Sequence, residues 1–315
     1  MYEDFAPKLA RVLTDYSVEI RPGDYVAIIA PVAAEPLITA LYEAVLRKGA
    51  HPVVQPILPG LNELFLRTAN DQQLEFCDPI TLDTIEKVDV MFQVIAPTNT
   101  RSLSQIDPAR LARNQQGRRP IVERYFTRVN DQSLRWNITA WPTPASAQQA
   151  EMGLLAYTEF MYKACALDQP DPVAHWQQFK ARQMRLVNWL AGKRHAEVRG
   201  PGIELSFDFT ARPWVSCHGT VNFPDGEIFT SPIEDTVNGH VAFSYPTVLA
   251  GREVNGVRLR FENGVAVEAS AGKNEDYLLS QLDLDEGARR LGEFAIGTNM
   301  GIQHFTGETL FDEKI

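Results

Sequence analysis

The sequence predicts an α/β protein: an N-terminal domain built on a parallel sheet, followed by a mostly antiparallel β (α+β) C-terminal domain. Three observations lead there. Short apolar runs alternate with helically spaced ones through the first half, the pattern of βαβ units. Two long helical patterns then flank the Pro-rich hinge "DQPDP", Asp168 to Pro172. From Glu197 the texture changes to short alternating strands separated by turn signals. The domains expected are residues 1–170 and 171–315. Such a division suits the length, since single hydrophobic cores stop growing near about 250 to 300 residues.

In chain order, "DYVAIIA" reads as a buried strand, "AEPLITALYEAVLRKGA" as a helix ending at Gly49, and "HPVVQPI" as the next strand. That βαβ unit makes the sheet parallel. A helix around "NELFLRTANDQQLEF", a strand at "VDVMFQVIA", a helix at "DPARLARNQQG" and a strand near "LRWNITAWP" extend it. The long helical patterns are "SAQQAEMGLLAYTEFMYKACAL" and "DPVAHWQQFKARQMRLVNWLAGK". In the second half the strands are "GIELSFDFT", "EIFTSP", "GHVAFSYPTV" and "GVRLRFENGVAVEAS". The last of these holds Asn-Gly between alternating runs, a strong two-residue hairpin signal.

Composition narrows the function classes. Thirty Lys plus Arg against forty Asp plus Glu give a formal charge of -10, which argues against nucleic acid as a partner. Three widely spaced cysteines, Cys77, Cys165 and Cys217, form neither a disulfide framework nor a zinc ribbon. The N-terminus mixes charges with its apolar residues and does not read as a signal peptide, and nothing has the length of a membrane span. A cytoplasmic protein without membrane contact is expected, so the sequon Asn137-Ile138-Thr139 carries no glycan.

Motifs with an established mechanism are absent: no G-x-G-x-x-G follows the first strand, and there is no P-loop, His-Glu-x-x-His or Gly-x-Ser-x-Gly. The stretch "FPDGEIFTSP" is the informative one, because it sets a glutamate, Glu227, behind a Pro-Asp-Gly turn inside an apolar strand. His218 and His240 bracket it and would allow a His-Glu-His site across a hairpin, although their spacing is not a ligand pattern. The more telling companion is Glu293 in "RRLGEFAIGTN", a second Gly-Glu pair opening an apolar strand. Glu227 shares a strand face with Phe229, and Glu293 with Ala295 and Gly297. Singly, each reads as an edge-strand glutamate. Together they ask for positive charge, since buried carboxylates are costly unless paired or metal-bound. Carboxylates from two strands could bridge two cations about 3.5 to 4 Å apart.

"NFPDGEIFTSPIEDTVNGHVAFSYP" and "DEGARRLGEFAIGTNMGIQHFTGETLFDEKI" resemble the thermophilic metalloaminopeptidase family, the aminopeptidase T, aminopeptidase S and PepS group. The likeness extends over essentially the whole chain. It implies a cytoplasmic, homodimeric hydrolase that removes N-terminal residues from peptides with a free N-terminus. It also implies a co-catalytic pair of divalent metal ions, zinc or cobalt, with magnesium or manganese as alternatives. Matched to the family's motifs, Glu227 and Glu293 are metal ligands, while His218, His240 and His304 fall at positions not used for metal. No catalytic base is assigned.

The family pattern continues past "LFDEKI" with a histidine, a tyrosine and a final His-Trp-Asp, whereas this sequence stops at Ile315. By that likeness the C-terminal domain is expected to look truncated and the activity to be impaired. Two other readings use the same residues. One is a catalytically silent fragment that dimerises or binds peptides. The other is a relative among the mononuclear iron dioxygenases that open dihydroxypyridine rings.

Overall fold

A computed structural model describes residues 2–249 and 252–315. Its strands are β1 (Tyr25–Pro31), β2 (His51–Ile57), β3 (Val90–Ile95), β4 (Arg135–Ala140), β5 (His195–Gly200), β6 (Ile203–Asp208), β7 (Val215–Cys217) and β8 (Asn222–Phe223). They continue as β9 (Glu227–Thr230), β10 (Asn238–Ala242), β11 (Thr247–Leu249), β12 (Arg252–Val254), β13 (Arg258–Glu262), β14 (Val265–Ser270) and β15 (Phe294–Gly297). The chain falls into two units: Met1–Gln177 with Gly219–Asp225, and Gln178–His218 with Gly226–Ile315.

The first unit carries a five-stranded sheet in the order β2-β1-β3-β4-β8, parallel throughout. The expected parallel sheet is therefore present. β1 has a strand on each side, so its sequence runs apolar without alternation, and Val26, Ala27, Ile28 and Ala30 are all buried. The helix Glu35–Arg47 makes the first crossover and buries Leu37, Leu41 and Val45, one per turn of a single stripe.

Three features differ from the sequence reading. The helix expected around residues 62–76 is two helices, Leu61–Thr68 and Asp71–Leu74, because Asn70 and Gln73 form a capping box that restarts the turn. The pattern following Trp141 is likewise split into Pro144–Gln149 and Leu154–Ala164, with Glu151 at φ 56° between them. Two unexpected helices, Pro79–Lys87 and Arg119–Asn130, bury Ile85 and Ile121 in one cluster. Arg128, on the second of these, is buried and donates from Nη1 to the carbonyls of Ile85 (2.7 Å) and Val88 (2.8 Å).

The second unit holds an antiparallel sheet, β14-β13-β10-β6-β5, as expected. The β13–β14 hairpin closes on Asn263 (φ 48°) and Gly264 (φ 82°), the pair of left-handed residues its Asn-Gly signal requires. Phe207, Phe261 and Val237 from this side meet Ile228 of β9 and Leu190 of the helix Pro172–Leu190 in one core. That core supports a small sheet, β15-β9-β7, also antiparallel.

Candidate metal centre

The candidate site begins with the turn that opens β9. Gly226 sits at φ +143°, and a Cβ there would lie 2.4 Å from the Asn299 Cβ. Only glycine fits this close approach. Its carbonyl accepts from the Thr298 backbone N–H at 2.6 Å and from Thr298 Oγ1 at 2.7 Å. Glu227 follows directly, with its side chain 7% exposed.

Pairing decides which groups share the face of Glu227. It stands opposite Cys217 in β7 and Gly297 in β15. Directly opposed residues project to one side, and so do residues an even number apart. Glu293 lies just before β15, outside the ladder, whose far end pairs Phe294 with Thr230. The two expected ligands therefore sit at opposite ends of the β9–β15 ladder, Glu227 within it and Glu293 just before it. Cys217 adds a thiol there, its Sγ within 4.8 Å of a Glu227 carboxylate oxygen.

Gln183, from the helix Pro172–Leu190, fixes the backbone of this sheet. Its buried Nε2 donates to the Glu227 carbonyl at 3.1 Å and to Thr298 Oγ1 at 2.9 Å, while its Oε1 accepts from Ser216 Oγ at 2.7 Å. One amide therefore ties β7, β9 and the residue after β15 together. Sequence reasoning missed it, because a glutamine in an amphipathic helix gives no sign of facing inward.

The segment after β15 returns across the shared face. The short helix Thr309–Asp312 is capped by Glu308 and buries Leu310 and Phe311. Gly297 gives the chain its path, since a Cβ at that position would lie 1.8 Å from the Ile315 carbonyl oxygen. Lys314 is brought in with its side chain fully buried, and its Nζ lies 3.3 Å from Glu227 Oε1. The same ammonium contacts the Glu313 carboxylate.

Electrostatics follow from that crowding. Desolvation raises the Glu293 pKa first, the Glu313 carboxylate adds to the rise, and Lys314 opposes it. Burial likewise raises the carboxyl groups of Glu308 and Asp312. His218 moves the other way: burial and then the Lys180 ammonium lower its pKa.

The His-Glu-His arrangement does not form. His240 is exposed on β10, which pairs with β6 and β13 rather than with β9, so no hairpin joins it to Glu227. His304 is exposed in the loop after β15. The residues present do fit a divalent cation. A buried carboxylate accommodates a positive group at 3.3 Å, as the Lys314 ammonium shows, and the Cys217 sulfur stands on the same face within 4.8 Å.

Comparison with known proteins decides the family. Residues 3–315 match the family described as Thermophilic metalloprotease (M29). The chain belongs to that family. Among M29-like relatives, aminopeptidase 2 of Geobacillus stearothermophilus is 26% identical, the match covering 99% of this chain and 82% of the relative. Aminopeptidase T of Thermus thermophilus is 28% identical over 98% of this chain and 81% of its own. Aminopeptidase T of Thermus aquaticus is 32% identical over 70% of this chain and 59% of its own. The solved structure of wild-type AmpT from Thermus thermophilus superposes with a TM-score of 0.88 at 26% identity, covering 100% of this chain and 84% of that one. A 2,5-dihydroxypyridine dioxygenase from Pseudomonas putida KT2440 shares the fold, with a TM-score of 0.54 at 13% identity. Membership of M29 makes the metalloaminopeptidase class expected from the sequence the class of this chain, and divalent metal use comes with it.

Proposed function

We propose that this protein releases N-terminal residues from peptides by metal-dependent hydrolysis, with Glu227 and Glu293 as ligands of two divalent ions, zinc or cobalt. The observation that carries the reading is the buried Glu227 carboxylate beside a cation position, in a chain of the M29 family. When bound, such a metal pair lowers the pKa of a water and polarises the scissile carbonyl. The protein's own part is to hold the ligands still. Gln183 anchors the Glu227 backbone and the Gly226 turn fixes its direction, so a carboxylate is presented without reorganisation.

The names of the relatives support a peptide substrate with a free N-terminus. A cytoplasmic homodimer completes the proposal, by likeness to that family. Because Lys314 engages Glu227, we expect weak metal affinity and an activity below that of an unobstructed site. The test is hydrolysis of leucine p-nitroanilide by chelator-treated protein reloaded with zinc, cobalt, manganese or magnesium. Release of p-nitroaniline that needs the ion and is lost in Glu227→Gln supports the proposal. Hydrolysis indifferent to chelation, or none with any of these ions, contradicts it.

A further inference from the structure

The positive charge beside Glu227 is supplied by the chain itself. Lys314 is fully buried, with Nζ 3.3 Å from Glu227 Oε1 and a second contact to the Glu313 carboxylate. The segment 308–315 that delivers it is anchored at several points. Leu310 and Phe311 are buried, the Lys314 N–H donates to the Phe311 carbonyl at 3.0 Å, and the Lys314 carbonyl accepts from the Asn299 N–H at 3.3 Å. Gly297, opposite Glu227 in the ladder, is a position where any side chain would collide with this segment.

Two consequences follow from charge and space. Without a metal, a carboxylate as buried as Glu227 needs a counter-ion, and Lys314 provides it. With a metal on Glu227 Oε1, an ammonium in its present place would share the same lone pairs and set two cations against each other in a buried site. Both cannot stay. Glu313, whose side chain is 34% exposed and already in contact with Lys314, offers the ammonium a partner nearer to solvent.

We propose that Lys314 is an internal competitor for the cation position at Glu227: its ammonium occupies that position in the metal-free protein, and an entering divalent ion displaces it and moves the segment 308–315 away from Glu227. This rests on Glu227 being a metal ligand. The device stabilises the empty site and scales apparent metal affinity by the fraction of time that the segment is open. A segment open about one-tenth of the time weakens binding about tenfold.

Lys314→Met keeps the buried volume and removes the charge. Zinc titration by calorimetry is expected to show a Kd tighter than wild type by about tenfold or more. The metal-free variant should melt below wild type, regain its midpoint on adding zinc, and regain it without zinc when combined with Glu227→Gln. In the wild-type protein, hydrogen exchange across residues 308–315 should rise when zinc is added and should not respond in Glu227→Gln. This arm needs no Lys314 variant and decides the matter if Lys314→Met does not fold. Equal zinc affinity in wild type and Lys314→Met, or exchange across 308–315 that ignores zinc, overturns the inference while a zinc deficit in Glu227→Gln leaves the ligand assignment standing. Unchanged zinc binding in Glu227→Gln overturns both.

Discussion

Gln183→Leu tests whether the candidate site is held from below by a single buried amide. The substitution keeps approximate size and removes three hydrogen bonds: two donated by Nε2, to the Glu227 carbonyl and Thr298 Oγ1, and one accepted by Oε1 from Ser216. Each neutral bond is worth about 1 kcal/mol net, so the loss comes to about 3 kcal/mol, with the Ser216 hydroxyl deprived of this acceptor. Urea unfolding should show a lower midpoint at unchanged slope. In a cycle with Ser216→Ala, the double variant should cost about 1 kcal/mol less than the sum of the single ones, because both remove the same bond. Zinc affinity should fall too, since the backbone of Glu227 loses its anchor. A cost below about 1 kcal/mol with unchanged zinc affinity would refute the reasoning.

Other consequences are independent of that amide. Gly297→Val should destabilise the second unit by about 1 to 3 kcal/mol and raise hydrogen exchange across 308–315, because its Cβ would overlap the Ile315 carbonyl. Arg128→Met should cost at least about 3 kcal/mol in denaturant unfolding, as it strips a charged donor from the buried carbonyls of Ile85 and Val88. His218 predicts a pH effect. Its folded pKa lies below the ordinary 6.5, so the unfolded chain takes up the proton first, and stability declines as pH falls from 6.5 toward the folded value. Thermal midpoints across that range should show the decline in wild type and a flatter profile in His218→Gln.

Much of the fold is legible in the sequence because it is written locally. β1 and β2 sit within a residue or so of their apolar runs, and the Asn263-Gly264 turn lies where its dipeptide requires. Helix breaks were harder, since the Asn70 capping box and the left-handed Glu151 interrupt apolar spacing that would otherwise run on. For the site, Glu227 and Glu293 could each be assigned a strand face from the sequence, but the register sets only Glu227 against Gly297, and Glu293 falls just outside β15. Lys314 and Gln183 were not legible at all. Each meets Glu227 across 87 and 44 residues of sequence, and lysine and glutamine ordinarily belong on the surface.

The central claim is that Glu227 and Glu293 hold the metal. Equilibrium dialysis against zinc, with bound metal counted by mass spectrometry, tests it most directly in wild type, Glu227→Gln and Glu293→Gln. The account predicts two equivalents in the wild-type protein and a loss of bound zinc in each variant, with the fold intact by circular dichroism. Full zinc content in folded Glu227→Gln would contradict it.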